Sequence, residues 1–190
     1  MRILAAFAVL LLLFSAPATA RDLGGINIPD SLTLAGETTP LILNGAGYRK
    51  KLFIKVYIGA LYLAQPLNQA EAILNAITPR VMRMHFLRDL GQDQFTTGWD
   101  SAIKPNHTEV EMRALQARLG ELGRLVGNLR RNDVLRIEMR PGGEIEISVN
   151  NLQRGILRGA DLQRALLTAW IGAIPADADL KRSLLGSKDS

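Results

Sequence analysis

The sequence predicts an α+β fold: one large antiparallel sheet with helices laid on one of its faces. Three observations carry that expectation. Along the chain the patterns run strands, helices, strands, helix, with no internal repeat, low-complexity linker or domain break. Pro141-Gly142-Gly143 separates two strand-like runs, and in the second, Glu144-Ile145-Glu146-Ile147-Ser148-Val149, polar and apolar residues alternate strictly. Met112, Leu115, Leu119, Leu122 and Val126 recur at three- and four-residue steps, the stripe of a helix lying on a core.

Residues 1–20 are expected to stand outside the fold. Arg2 precedes an unbroken apolar run from Ile3 to Phe14, and Ala18-Thr19-Ala20 has the small-x-small pattern of a cleavage site. That is the pattern of a secretory signal peptide cleaved after Ala20. The expectation is therefore an exported protein, periplasmic or secreted, whose residues 21–190 form a single domain. No later segment reaches the roughly 18 apolar residues of a membrane helix.

Ile26 to Pro40 reads as an entry strand and turns. Leu41 to Leu43 reads as a short strand broken by Gly45-Ala46-Gly47. Leu52 to Leu63, rich in Phe, Ile, Val and Tyr, reads as a long strand ended by Pro66. Gln69 to Ile77 has helical spacing. Arg80 to Arg88 reads as a strand with Val81, Arg83, His85 and Leu87 on one face and Met82, Met84 and Phe86 on the other. A helix is expected over Asp93–Ile103, and a second follows Thr108, a good N-cap residue. Strands are expected at Val134–Arg140, Glu144–Val149 and Gln153–Leu157. An amphipathic helix over Asp161–Ile171 would bury Leu162, Ala165, Leu166, Ala169 and Trp170. A short helix over Asp179–Leu185 closes the chain, with a frayed tail after Gly186.

Composition excludes several chemistries. There is no cysteine, which rules out disulfides, thiol nucleophiles and thiolate metal sites. The formal charge of +5 is scattered, with no basic stripe interleaved with aromatics, so no nucleic-acid partner is expected. His85 and His107, the two histidines, lack metal-ligand spacing, and neither a metal nor a cofactor is expected. Asn106-His107-Thr108 fits the glycosylation pattern of a eukaryotic secretory host. Gly45-Ala46-Gly47 opens like a dinucleotide loop, but Lys50 stands where a third glycine is required and the βαβ context is missing. No Gly-x-Ser-x-Gly elbow occurs. Glu144 and Glu146 share a strand face and read as exposed hairpin surface rather than an acid–base pair.

Arg49 is the residue that stands out. A guanidinium is always charged and offers a planar fork to a carboxylate or carbonyl. Beside Leu52 and Phe53 it would be partly desolvated, with the hydroxyls of Tyr57 and Tyr62 near in sequence. In a straight strand the eight steps from Arg49 to Tyr57 would span about 26 Å, so joint use of the two requires a chain reversal between them. Trp99 and Trp170, each on a helix, read as core residues or as walls of an apolar cavity.

The turn Gly45-Ala46-Gly47-Tyr48-Arg49, the run Phe53-Ile54-Lys55 and the pair Tyr62-Leu63 resemble the chalcone-isomerase family. So does Ile171-Gly172 followed by Asp179-Leu180-Lys181-Arg182-Ser183-Leu184. The resemblance implies an open-faced β-sandwich, a large antiparallel sheet covered by helices on one face. It places the plant enzymes' active-site arginine at Arg49 and their strand threonine at Tyr57. Their helix tyrosine falls near Gln94–Phe95, their lysine and asparagine near Gly98 and Ala102, and their later threonine at Ala169, one place from Thr168. With that hydrogen-bonding shell missing, chalcone isomerase activity is not expected. The fatty-acid-binding, non-catalytic branch is similar in Arg49-Lys50-Lys51 and Val56-Tyr57. It implies that Arg49 and Tyr57 hold a carboxylate or carbonyl head while the tail meets walls from Phe95, Trp99 and Trp170. The expected partner is thus a small hydrophobic or anionic ligand, with oligomeric state left open. The alternatives are an intramolecular lyase or isomerase acting on an unsaturated carbonyl compound, and a ligand-free protein-interaction module.

Overall fold

The structure, a computed structural model, describes residues 20–186. The leader expected over residues 1–20 therefore lies almost wholly outside the described residues, as does the tail after Gly186. Among the described residues, nine strands and five α-helices follow in the order expected. β1 (Ala20–Leu23) and β2 (Ile26–Pro29) form a separate two-stranded hairpin. β3 (Ser31–Leu32), β4 (Leu41–Lys51), β5 (Ile54–Leu63), β6 (Arg80–Phe86), β7 (Val134–Met139), β8 (Glu144–Val149) and β9 (Leu152–Arg158) form one seven-stranded antiparallel sheet in sequential order. The helices are α1 (Ala70–Leu74), α2 (Gln92–Ile103), α3 (Glu109–Val126), α4 (Ala160–Ile171) and α5 (Ala178–Leu184).

Two apolar layers hold the sheet. On the helix side, Leu61 and Leu63 of β5 and Met82, Met84 and Phe86 of β6 join Leu135, Ile137, Ile145 and Ile147 against the helices. The opposite parity of β5 and β6, Ile58, Ala60, Tyr62 and Val81, packs on Ile28 and Leu34, so the N-terminal hairpin covers part of the outer face. The expected face assignment in β6 holds residue by residue.

The helices follow their stripes. Leu115, Leu119, Leu122 and Val126 of α3 are buried, with Met112 partly so. Thr108 caps α3, its hydroxyl accepting the Glu111 N–H while Glu111 accepts the Thr108 N–H at 2.7 Å. α4 is the central helix: all five residues expected to be buried are, and Leu167, Gln163 and Thr168 are enclosed as well.

The alternation in β8 is partly wet. Glu144 pairs with Arg158 at 3.0 Å, but Ser148 is buried. Glu138, opposite Glu146 in the register, is 1% exposed and is held by Arg136 and Arg140.

The largest departure concerns the glycine segment. Gly45-Ala46-Gly47 does not break a strand but lies inside the eleven-residue β4. The glycines serve close packing, not a turn. A Cβ on Gly45 would run into the Ser183 carbonyl oxygen of α5, and one on Gly47 would stand 2.6 Å from the Ser183 Cβ. Without side chains there, α5 rests directly on β4. The reversal comes later, at Leu52 and Phe53, with Leu52 at a φ of 56°.

Candidate functional site

The hairpin of β4 and β5 supplies the reversal that a joint role for Arg49 and Tyr57 requires. The chain folds back at Leu52-Phe53, and Arg49 and Tyr57 become direct cross-strand partners. A β-bulge separates Arg49 from Lys50 in the ladder. Tyr57 shares a strand face with Leu61 and Leu63, so the pair stands on the helix side of the sheet.

Tyr62 does not join them. Its odd separation from Tyr57 puts it on the outer face. There its hydroxyl donates to the Pro29 carbonyl at 2.9 Å and pins the N-terminal hairpin. Leu52 and Phe53 do not desolvate Arg49 either, because they stand 86% and 99% exposed at the hairpin tip.

Arg49 is enclosed by other means. Its side chain is 21% exposed, and its Nη1 lies 3.7 Å from Asp177 Oδ2 while also donating to the Lys50 carbonyl. Asp177 caps α5, its Oδ1 accepting the N–H groups of Asp179 and Leu180 at 2.9 and 3.0 Å. Its Oδ2 accepts the Lys50 N–H at 2.7 Å. One carboxylate thus ties the start of α5 to the strand that carries Arg49.

Tyr57 accepts a hydrogen bond from Trp170 Nε1 at 2.9 Å. Its own hydroxyl hydrogen meets no acceptor among the described residues. Burial pushes the phenol up to about 12, against the smaller lowering effects of the Trp170 bond and the Arg49 charge, while Asp177 adds to the rise. Tyr57 is therefore a neutral hydroxyl with a hydrogen to give, beside a cation.

The three aromatic residues expected as walls form one continuous cluster behind it. The Trp170 ring meets Trp99 edge-on at 4.9 Å between centroids, and Trp99 meets Phe95 at 6.0 Å. Tyr57 also packs on Phe86 at 5.5 Å. Trp170, Trp99 and Phe95 are 2%, 8% and 4% exposed, so each ring is packed mainly against its neighbours. A string from Arg49 through Tyr57, Trp170 and Trp99 to Phe95 runs from the sheet edge into the space between sheet, α2 and α4.

The other positions aligned with the plant enzymes do not rebuild their hydrogen-bonding shell. Gln94 is exposed at the start of α2, its side-chain oxygen accepting the Gly91 N–H at 3.3 Å. Gly98 faces open space. Ala169 is buried, and the Thr168 hydroxyl donates to the Ala165 carbonyl at 2.7 Å within its own helix. Thr168 lines a different cavity, of about 420 Å³, with Glu71, His107, Glu111 and Arg164 on its wall. None of the five candidate residues borders that cavity. Its charges already have partners: Arg164 reaches Glu71 at 3.2 Å and Asn75 at 2.8 Å.

His85 lies on the outer face, where burial holds its imidazole below the usual value. His107 Nδ1 meets the Ile103 carbonyl at 3.1 Å. Among the described residues no three His, Cys, Asp or Glu side chains gather as a metal site, and no helix is long and apolar enough to cross a membrane. The Asn106 side chain bridges the Ile174 carbonyl at 2.7 Å and the Ile174 N–H at 2.9 Å, so this position serves as a structural clip.

Sequence reasoning missed two features. Asp177 lies just ahead of a short helix, and an aspartate there is readable as a cap; its pairing with Arg49 is not. The Trp170 ring was expected as wall, whereas its N–H also holds Tyr57. A contact between a helix and a strand more than a hundred residues apart leaves no local pattern.

The sequence matches the family model described as chalcone isomerase-like over residues 20–186. The fold is similar to the crystal structure of a fatty-acid binding protein of Arabidopsis thaliana, with a TM-score of 0.65 and 17% identity, over 85% of this chain and 92% of that one. At that identity the likeness is one of fold. No curated protein sequence matches. With the family pattern spanning everything from β1 to Gly186, two residues past α5, the chain belongs to the chalcone isomerase-like family.

Proposed function

We propose that this protein binds a small amphipathic ligand, fatty-acid-like in having an apolar body and a carboxylate or carbonyl head. Arg49 and Tyr57 would hold the head; Trp170, Trp99 and Phe95 would meet the apolar part. The observation that carries this reading is the cross-strand pairing of Arg49 with a tyrosine whose hydroxyl hydrogen is unclaimed. A charged donor and a neutral donor converging from adjacent strands match the two lone-pair-bearing oxygens of a carboxylate. Asp177 would then share the guanidinium with the incoming anion.

The same geometry favours binding over proton transfer. A phenol pushed up to about 12 donates a hydrogen bond readily but is a poor acid near neutral pH. Of the positions where the plant isomerases carry donors, Gln94 is exposed at the start of α2, Gly98 has no side chain and Ala169 is apolar.

The protein is also proposed to be exported, its leader ending at Ala20. Mass measurement of the protein from the envelope fraction of its host tests this; an intact residue 1 would overturn it.

Ligand binding is tested by native mass spectrometry of the protein from its own compartment. A bound acid that is lost in Arg49→Ala and weakened in Tyr57→Phe is the expected result. A protein that stays empty, and shows no saturable uptake of added long-chain fatty acid, would overturn it.

A further inference from the structure

The most conspicuous surface feature is one the ligand reading does not use. At the tip of the β4–β5 hairpin, Leu52, Phe53 and Ile54 are consecutive and are 86%, 99% and 46% exposed. The other large apolar side chains that stand exposed among the described residues, such as Ile77, Val110 and Leu152, are scattered singly. Isolated exposed apolar residues need no explanation, whereas a contiguous apolar tip does. Leu52 also holds a φ of 56°, a left-handed conformation that glycine or asparagine would adopt at lower cost. A leucine kept there, with its side chain in solvent, gains nothing inside the folded monomer.

The stem below the tip is basic. Arg49, Lys50, Lys51 and Lys55 fall within seven residues, and no acidic residue occurs from Leu41 to Leu63. Lys50 and Lys55 are direct cross-strand partners. Their ammonium groups diverge, Lys50 towards α5 and Lys55 onto the Tyr48 ring of the outer layer, so the stem carries cations on both of its sides. α5 offers limited neutralisation: Asp177 pairs with Arg49, and Asp179 lies 3.8 Å from Lys50. Lys55 instead sits 3.9 Å over the Tyr48 ring, and Lys51 has no acidic partner among the described residues.

From the apolar tip and its basic collar we infer that the β4–β5 hairpin is a docking element for an anionic lipid surface, Leu52 and Phe53 entering the acyl boundary while Lys50, Lys51 and Lys55 meet the headgroups. Apolar side chains inserted beneath a ring of cations are the arrangement by which monotopic proteins bind anionic membranes reversibly. The surface stands on its own evidence and does not require the ligand reading. Where that reading holds, docking brings the Arg49–Tyr57 pair to the bilayer surface, from which an amphiphile is drawn.

The absence of cysteine gives a clean test on the full chain. Phe53→Cys carries an environment-sensitive dye at the tip, and Ile77→Cys carries the same dye at an exposed apolar position elsewhere. Vesicles are of phosphatidylcholine alone or mixed with phosphatidylglycerol, without fatty acid, so the outcome is independent of ligand binding. The dye at 53 is expected to shift to the blue with the anionic vesicles only, and the dye at 77 to stay unchanged. Adding Lys51→Glu to Phe53→Cys should raise the lipid needed for half the shift by about tenfold. A silent dye at 53, or an equal shift at 77, overturns the inference. So does a shift evoked by a soluble protein fraction and not by vesicles, which would assign the tip to a protein partner.

Discussion

Strand β5 carries two tyrosines that look alike by most measures and are used differently. Burial pushes both phenols up to about 12, and each makes one hydrogen bond of 2.9 Å. They stand on opposite faces of the sheet. Tyr62 is fully enclosed on the outer face and gives its hydrogen to the Pro29 carbonyl, a bond internal to the fold. Tyr57 receives the Trp170 N–H on the helix face, keeps its own hydrogen and stands beside Arg49. A perturbed titration therefore does not distinguish a structural peg from a group free to meet a ligand. The direction of the hydrogen bond differs between them: Tyr62 has given its hydrogen and Tyr57 has not.

The comparison breaks most violently at Tyr62. Truncation in Tyr62→Ala empties a fully buried site and removes the tether of the N-terminal hairpin, and should cost about 3–5 kcal/mol in urea denaturation. Ligand affinity of the fraction that remains folded should not change. An equal loss of affinity would mean that the faces are not independent.

Alkaline pH sharpens the same contrast. Each tyrosine holds its proton more tightly folded than unfolded, so its contribution is fully present below pH 10 and is lost as pH rises from 10 towards 12. The loss amounts to roughly 2–3 kcal/mol per tyrosine. Denaturation midpoints across that window should fall, and by about half as much in Tyr57→Phe or Tyr62→Phe. A bound carboxylate, adding negative charge beside Tyr57 alone, should delay that tyrosine's ionisation in the ultraviolet absorbance and leave Tyr62 unmoved.

Arg49→Ala separates binding from stability. Its ion pair with Asp177 is partly exposed, so stability should fall by less than about 1 kcal/mol. Loss of a charged hydrogen bond to the ligand head should weaken binding by about 10–100-fold, measured by fatty-acid titration. Stability loss without loss of affinity would reassign Arg49 to the cap of α5.

Much of this was legible before the structure. The periodicities in α3 and α4, the face assignment in β6 and the Pro-Gly-Gly hairpin are local patterns, and each formed as expected. Gly45-Ala46-Gly47 misled because glycine has two uses that look identical in sequence. One is a turn; the other is room for a neighbour, here α5, whose approach is set more than a hundred residues later. The reversal at Leu52-Phe53 was obscured for the opposite reason. Apolar residues with strand character occupy a turn where glycine or asparagine is usual, so the run from Leu52 read as strand. That substitution of apolar for turn-forming residues is also what marks the tip as a surface kept for contact. Of the candidate site, Arg49 and Tyr57 were singled out from motif, but their pairing depends on the hairpin register, and Asp177 and the Trp170 N–H enter only through tertiary contact.

The finest test concerns the hydrogen bond that distinguishes the two tyrosines. In Tyr57→Phe the indole N–H of a residue 2% exposed loses its acceptor, and in Trp170→Phe the phenol loses its donor. Either single variant leaves one polar group without its partner, whereas the double variant leaves neither, so the two losses should not add. The cycle of both singles and the double should give a coupling of about 1 kcal/mol from denaturation midpoints. Tyr62→Phe paired with Trp170→Phe should give none, because a sheet lies between them and Tyr62 donates elsewhere. Coupling in both cycles would point to a general loosening around Trp170. Coupling in neither would remove the bond that holds Tyr57 ready beside Arg49, and with it the physical difference between the two faces.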